Sequence, residues 1–344
     1  VPGTRFVNCL DVERGPREWT PPEPVERLID TWYFGPALAA MDRELRVAGL
    51  TVYLTFDTET LPSYGDDVVV VLIGDEWARV PAYLPRVRAV FRNLCARPNL
   101  GCRPLDWPSP ATLSALLPAG RAALRGLPGR VVRRRAELAA ARGRGRPPAP
   151  QVELPIGTYN ALDLPLRPLA ERGSDLFFAG SVVHAPGRAA QLKARVMPKG
   201  LAREAMLRNG ERLRRHPHVS IDVRITEGFQ QSASADAGEY SRALMDSRLA
   251  LVPRGATTET HRFFQALKYG CIPVTDCVPP IWFYEQAPMV RLRHWDELED
   301  AVLPLLADRE RLETLHRQAL AWWETACSEQ AVGRLMAATL NALG

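Results

Sequence analysis

The side chains best suited to chemistry gather in one stretch: Arg254-Gly255-Ala256-Thr257-Thr258-Glu259, then Arg262 and Gln265. A guanidinium, two hydroxyls and a glycine just ahead of a helix suit a phosphate or diphosphate. The free N–H groups and dipole of a helix N-terminus favour negative charge there. Arg262 and Gln265, three apart, share a helix face, and the amide could hydrogen-bond sugar hydroxyls. Gly180-Ser181 and Arg188 form a second candidate, because a loop glycine lets a phosphate come close. Arg224 lies at a strand exit where a nucleotide base would sit. In the N-terminal half the candidates are acids: Asp75 and Glu76 first, Asp57 behind them. A carboxylate at a strand end can take the proton of an attacking hydroxyl. The same acids would also suit a solvated turn or a helix N-terminus.

The elements that would hold these groups alternate between strand and helix. Arg248 to Pro253 is a short apolar run, as in a buried parallel strand. Thr260 to Tyr269 is helical with Gly270 as its stop, Cys271 to Thr275 is another strand, and Pro279-Pro280 opens the next helix. Such a unit places its loop at the carboxyl ends of the strands, where α/β sheets bind ligands. Asp175 to Ala179 and His218 to Ile225 read as further strands, and 191–215 as a basic helical region interrupted by Pro198-Lys-Gly200. In the N-terminal half, Arg5 to Leu10, Leu50 to Phe56 and Asp67 to Ile73 read as strands. A short helix is expected over 25–29, a clearer one from Gly35 to Val47, a helix over 81–95 with Arg92 near its solvated end, and a short one over 112–117. Gly228 to Gly238 reads as a polar loop. Near the C-terminus Met289 to Leu292 is a last strand, followed by helices over 295–306, 308–327 and 329–343, with Asp308 as an N-cap.

Leu251-Val-Pro-Arg-Gly255, Arg262-Phe-Phe-Gln-Ala-Leu267 and Gly270-Cys-Ile-Pro-Val274 resemble the donor-side signature of exostosin-like glycosyltransferases. Asp175-Leu-Phe-Phe-Ala-Gly-Ser181 and Tyr240 to Ser247 resemble the flanking blocks, so the resemblance covers roughly residues 174–295. The family usually carries Glu or Asp where this chain has Gln265; the nearest acids are Glu259 and Asp276. The resemblance implies a GT-B architecture, two doubly wound Rossmann-like α/β domains facing a cleft. It also implies inverting transfer from a nucleotide-diphosphate sugar, with UDP the first choice, to a hydroxyl of a glycan or small-molecule acceptor. The expected division is an acceptor-side domain over 1–165, a donor domain over 166–325, and a C-terminal helix over 326–344 that braces the first. Arg254, Arg262, Thr257, Thr258 and the helix N-terminus would stabilise the leaving diphosphate, so neither a metal nor another cofactor is expected. Asp57-Thr-Glu59 has the acid-x-acid form of the metal motif of the other large glycosyltransferase fold, as a weak match. A nucleotide-sugar epimerase on the same architecture and a non-catalytic glycan- or nucleotide-binding protein stay open as alternatives.

Composition bounds these readings. The chain has 344 residues, 46% hydrophobic and 24% charged, as in a globular protein of two ordinary domains. No apolar run is long enough to span a membrane, and no signal-peptide core opens the sequence, which begins at Val1. The expected location is cytoplasmic, with membrane-peripheral contact through one basic segment. That segment, Arg121 to Arg146, carries nine arginines against Glu137 alone, and Gly143 to Pro150 reads as a linker. A solvated helix, an anionic acceptor or a membrane surface would each suit it. Nucleic acid is not expected, because no stacking aromatics interleave the arginines. The six cysteines show no zinc spacing; Cys95 and Cys102 are the one local pair that a disulfide could join. Trp322-Trp323 reads as core rather than sugar platform.

Overall fold

A computed structural model describes residues 3–23, 31–77, 79–94, 110–159, 161–182, 196–226 and 237–344. Two compact units result, one gathered from 1–98, 119–157 and 328–344, the other from 99–118 and 158–327.

The first unit holds a six-stranded sheet in the order β2-β1-β3-β4-β5-β6. The strands are β1 (Arg5–Asn8), β2 (Arg17–Glu18), β3 (Thr51–Thr55), β4 (Val68–Leu72), β5 (Ala89–Arg92) and β6 (Gln151–Glu153). Only the β1–β2 pairing is antiparallel. β3, β4 and β5 are buried along their whole length, and β3 and β4 accordingly read as continuous apolar runs and not as alternating ones. Helix α1 (Thr31–Glu44) reaches further back than the expected start at Gly35 and carries Pro36 in its second turn, where one backbone hydrogen bond is lost. The expected helix over 81–95 is instead a single 3-10 turn, Leu84–Arg86, followed by β5. Pro81 and Pro85 confine any helix, and Ala-Val-Phe-Arg is the central-strand composition that wins once β4 is beside it. The expected short helix over 112–117 is longer, α2 (Pro110–Arg125), with Pro118 inside it, and α3 (Leu127–Ala141) follows at once. The readings over 25–29, 97–109 and 228–236, and the Cys95–Cys102 pair, lie outside the described residues.

The second unit holds a wholly parallel five-stranded sheet in the order β11-β10-β9-β7-β8. Its strands are β7 (Ser174–Gly180), β8 (Ile221–Ile225), β9 (Ser247–Leu251), β10 (Ile272–Thr275) and β11 (Val290–Arg291). Its helices are α4 (Pro198–Leu213), α5 (Ala237–Met245), α6 (His261–Lys268), α7 (Trp282–Glu285), α8 (Leu298–Ala307) and α9 (Arg309–Trp322). Of the expected helical region over 191–215, residues 191–195 lie outside the described residues, 196–197 form a turn, and α4 follows. Pro198 opens it, since a proline at the first helical position loses no needed hydrogen bond. Gly270 closes α6 at φ 67°, a conformation costly for any side chain with a Cβ. Asp308 caps α9, accepting from the Arg311 N–H at 3.0 Å. Trp322 donates to the Phe283 carbonyl at 3.1 Å and Trp323 is buried, so this pair is core. The last helix, α10 (Glu329–Ala342), belongs to the first unit and packs along α1.

In the second sheet the strand order runs outward from β7 in one direction to β8 and in the other to β9, β10 and β11. The crevice between β7 and β9, at their carboxyl ends, is the topological switch point where such sheets bind ligands.

Candidate functional site

Three cations converge at the end of β7. Arg262, in the first turn of α6, donates from Nε to the Ala179 carbonyl at 2.7 Å. Its guanidinium lies 5.4 Å from the Phe178 ring centre and directly on Gly180, where a Cβ would collide with it. Lys199 and Arg203, one turn apart on α4, reach the next residue: Lys199 Nζ lies 3.3 Å from Ser181 Oγ, and Arg203 donates to the Ser181 carbonyl. None of the three has an acidic partner among the described residues. Burial, then the charges of Arg203 and Arg262, pushes Lys199 down to about 8. Burial and Arg262 push Arg203 down to about 9. Burial also depresses Arg262, against a smaller opposing effect from Tyr240.

This arrangement opposes the rules that stabilise folds. Lys199 sits in the first turn of a helix with no acid there and no side-chain cap, against the macrodipole. Arg203 is buried, at 3% exposed, and a buried charge without a counter-charge costs several kcal/mol; Lys199 and Arg262 are half-buried beside it. A fold keeps such a cluster where an anion completes it, and Lys199 and Arg262 both stand in the first turns of their helices, at the positive ends of the helix dipoles.

The loop after β9 adds to it. Arg254 is 6% exposed and its Nε has no partner. Thr258 and Glu259 are buried. Thr257 donates its hydroxyl to the Glu259 carbonyl at 3.2 Å, which fixes the turn, while Gly255 has room around it. Asp276, at the exit of β10, has its carboxyl pushed up to about 6 by burial, although Arg254, Trp295 and His294 pull it down.

Other expected site residues are placed differently. Gln265 is buried, accepts from the Tyr240 hydroxyl at 2.9 Å and donates to the Tyr159 carbonyl. Both ends of the amide are spent inside the unit, so it acts as a clamp and not as the expected contact for sugar hydroxyls. Arg224 is ion-paired with Asp222 at 2.9 Å and with Glu239. It lines a separate cavity of about 410 Å³ with Arg167, Arg242 and Met245. Arg188 lies outside the described residues.

The acids of the first unit separate by environment. Asp75 follows β4 and is buried. It accepts from the Arg79 N–H at 2.6 Å, from Arg79 Nε at 3.0 Å and from Arg92 Nη2 at 3.0 Å. Arg92, expected at a solvated helix end, is 1% exposed at the end of β5 and also donates to the Arg79 carbonyl at 2.7 Å. Asp75 is therefore the centre of a structural network, which corrects its place as first choice for the base. Burial would raise Asp57. The Thr60 hydroxyl at 2.6 Å, the N–H groups of Glu59 and Thr60, and the charge of Arg79 together hold it below its usual range. Glu76 reaches solvent yet is enclosed enough that burial, then the Asp75 charge, raises its carboxyl. Among the described residues no group of three or more His, Cys, Asp or Glu could hold a metal ion.

Residues 198–337 match the family model of the RXYLT1 C-terminal domain. A relative from Danio rerio, ribitol-5-phosphate xylosyltransferase 1, is 29% identical over 118 residues, 29% of this chain and 26% of that one. The chain thus spans about a quarter of that relative's length. Among solved structures, a GtfA/B complex aligns with a TM-score of 0.40 at 10% identity, over 81% of this chain and 58% of that one. The N-terminal domain of Candida albicans trehalose-6-phosphate phosphatase aligns with the same score and identity, over 82% and 71%. Scores this low carry no argument.

The matched region overlaps most of the stretch whose blocks resemble the exostosin-like signature. It opens with the first residue of α4 and contains Lys199, Arg203, Arg254, Arg262 and Asp276. Gly180 and Ser181 precede it, and the acids of the first unit lie outside it. Sequence reading missed Lys199 and Arg203. The signal that would have found them was a basic residue just after a helix-opening proline, where an acid is the stable choice.

Proposed function

We propose that the protein is an inverting glycosyltransferase that moves a sugar from a UDP-sugar to a hydroxyl of a glycan or small-molecule acceptor without a metal ion. The observation that carries this reading is the trio of Lys199, Arg203 and Arg262 at the switch point of the second sheet, which has no acidic partner among the described residues. A donor diphosphate matches it in charge. When the acceptor oxygen attacks the anomeric carbon, the bond from that carbon to the diphosphate oxygen breaks and its electron pair stays on the diphosphate. The trio and Arg254 would stabilise the charge that develops. The acceptor proton passes to a base. Glu76 fits this role best of the three acids, because its raised carboxyl is the one not consumed by hydrogen bonds. The xylosyl relative makes a pentose the first donor sugar to try.

Calorimetry with UDP in the presence of EDTA tests the donor half. Micromolar binding that falls at least tenfold in Arg203→Gln is expected, since a charge-assisted hydrogen bond contributes about 1.5–3 kcal/mol. Absence of nucleotide binding would overturn the reading. Binding followed by neither hydrolysis nor transfer with UDP-xylose or UDP-hexoses would leave a nucleotide-binding protein instead.

A further inference from the structure

The helix α3 is oriented the wrong way round for a helix packed only against its own protein. Counting 3.6 residues per turn, Gly129, Ala136 and Ala140 fall within about 40° of one another and form its inner face. Gly129 rests on the Val80 carbonyl so closely that a Cβ would overlap it. The large apolar side chains Leu127, Val131 and Leu138 fall within about 40° on the opposite side. They are 48%, 46% and 40% exposed, and no residue of α3 is buried. Leu124, at the end of α2, is 67% exposed.

Arginines border this apolar stripe. Arg130, Arg134 and Arg135 flank it, all exposed. Glu137 lies towards one side and pairs with Arg133 at 2.8 Å and Arg134 at 3.3 Å. Arg125 stacks on Trp77 at 3.8 Å, and Arg146 pairs with Asp66. The segment 121–146 holds nine arginines and one acid in a chain of net charge +5, so the rest of the chain is net negative. The positive charge is therefore concentrated where the unpartnered apolar side chains are.

We propose that α3 docks the protein on an anionic lipid surface, with Leu127, Val131 and Leu138 entering the headgroup boundary and the flanking arginines holding phosphate. An interfacial helix needs this combination: a modest apolar stripe, a basic border and no length to span. No helix among the described residues is long and apolar enough to cross a membrane. A second copy of the chain is disfavoured as occupant, because two such arginine-rich faces repel. A nucleic acid would use arginines with stacking aromatics, whereas the exposed side chains here are aliphatic.

The test is cosedimentation of the full chain with vesicles of phosphatidylcholine alone and of phosphatidylcholine with one quarter phosphatidylglycerol. Binding to the anionic vesicles only is expected. The variant R130Q/R134Q/R135Q should lower partitioning about 100-fold, at ~5-fold per arginine. The variant L127S/V131S/L138S should also lower it at least tenfold at physiological salt, with melting temperature and UDP binding unchanged in both. Equal binding to neutral vesicles, no binding to either, or binding indifferent to the serine variant would each overturn the proposal. A leucine-dependent oligomer or a salt-sensitive RNA complex without lipid binding would overturn it in favour of that partner.

Discussion

The trio at the end of β7 couples ligand binding to pH through Lys199. Its ammonium is held near 8 by burial and by the two guanidiniums, so free protein loses that proton as pH rises past 8. A bound diphosphate favours the charged form and restores the proton. UDP affinity should therefore be flat below pH 8 and fall above it, and binding near pH 8.5 should take up protons. Calorimetry in two buffers of different ionisation enthalpy reads this directly, and Lys199→Met should bind more weakly and lose the fall that begins at pH 8. Two acids adjacent in the first unit, Asp75 and Glu76, make the complementary test. Asp75→Asn breaks a buried pair with Arg92 and should cost about 3–5 kcal/mol in denaturant unfolding. Glu76→Gln should leave stability and UDP affinity intact while lowering kcat/KM about 10²–10⁴-fold. If Asp75→Asn is stable and inactive, the roles are exchanged. At this scale the sequence named Asp75 and Glu76 together and had no means of separating them, since the separation comes from Arg79 and Arg92 closing on one and leaving the other.

Among elements, legibility followed burial. β4, β7 and β9 are recognisable as apolar runs because both of their faces are covered. β5 was not, because four residues after a proline-bounded turn carry too little pattern, and its identity comes from pairing with β4. Pro198 reads as a break in a basic helical region, and that reading draws no attention to Lys199 as a first-turn residue of α4. β7 ends in Gly180, where the tip of the Arg262 side chain occupies the space of a Cβ and would have to move aside for one. Gly180→Ala should displace Arg262, lowering both melting temperature and UDP affinity at least tenfold. Gly255→Ala, where the nearest atoms leave ordinary contact at 3.7 Å, should change little. Equal effects from the two would place the anion elsewhere in the loop.

For the molecule as a whole, α10 is bound into the first unit by a close helix crossing. The Gly333 site faces the Ala37 carbonyl and Ala40 of α1 with no room for a Cβ, Asn341 donates to the Glu44 carbonyl at 3.0 Å, and Arg43 reaches Gln330 at 3.0 Å. Gly333→Ala should destabilise by about 1–3 kcal/mol through overpacking, seen as a lowered unfolding midpoint with UDP affinity retained. The sequence offered the helix and its length; the small-residue crossing that locks it needed both partners in view. That crossing also sets an order of events during synthesis. Every strand of the first sheet has left the ribosome long before Glu329–Ala342 is made, yet the unit stays open along α1 until then. The second unit, begun later, has all of its strands and helices translated before that last helix appears. The half of the chain translated first is therefore the half finished last, and its uncovered α1 face is where a nascent-chain chaperone would be needed.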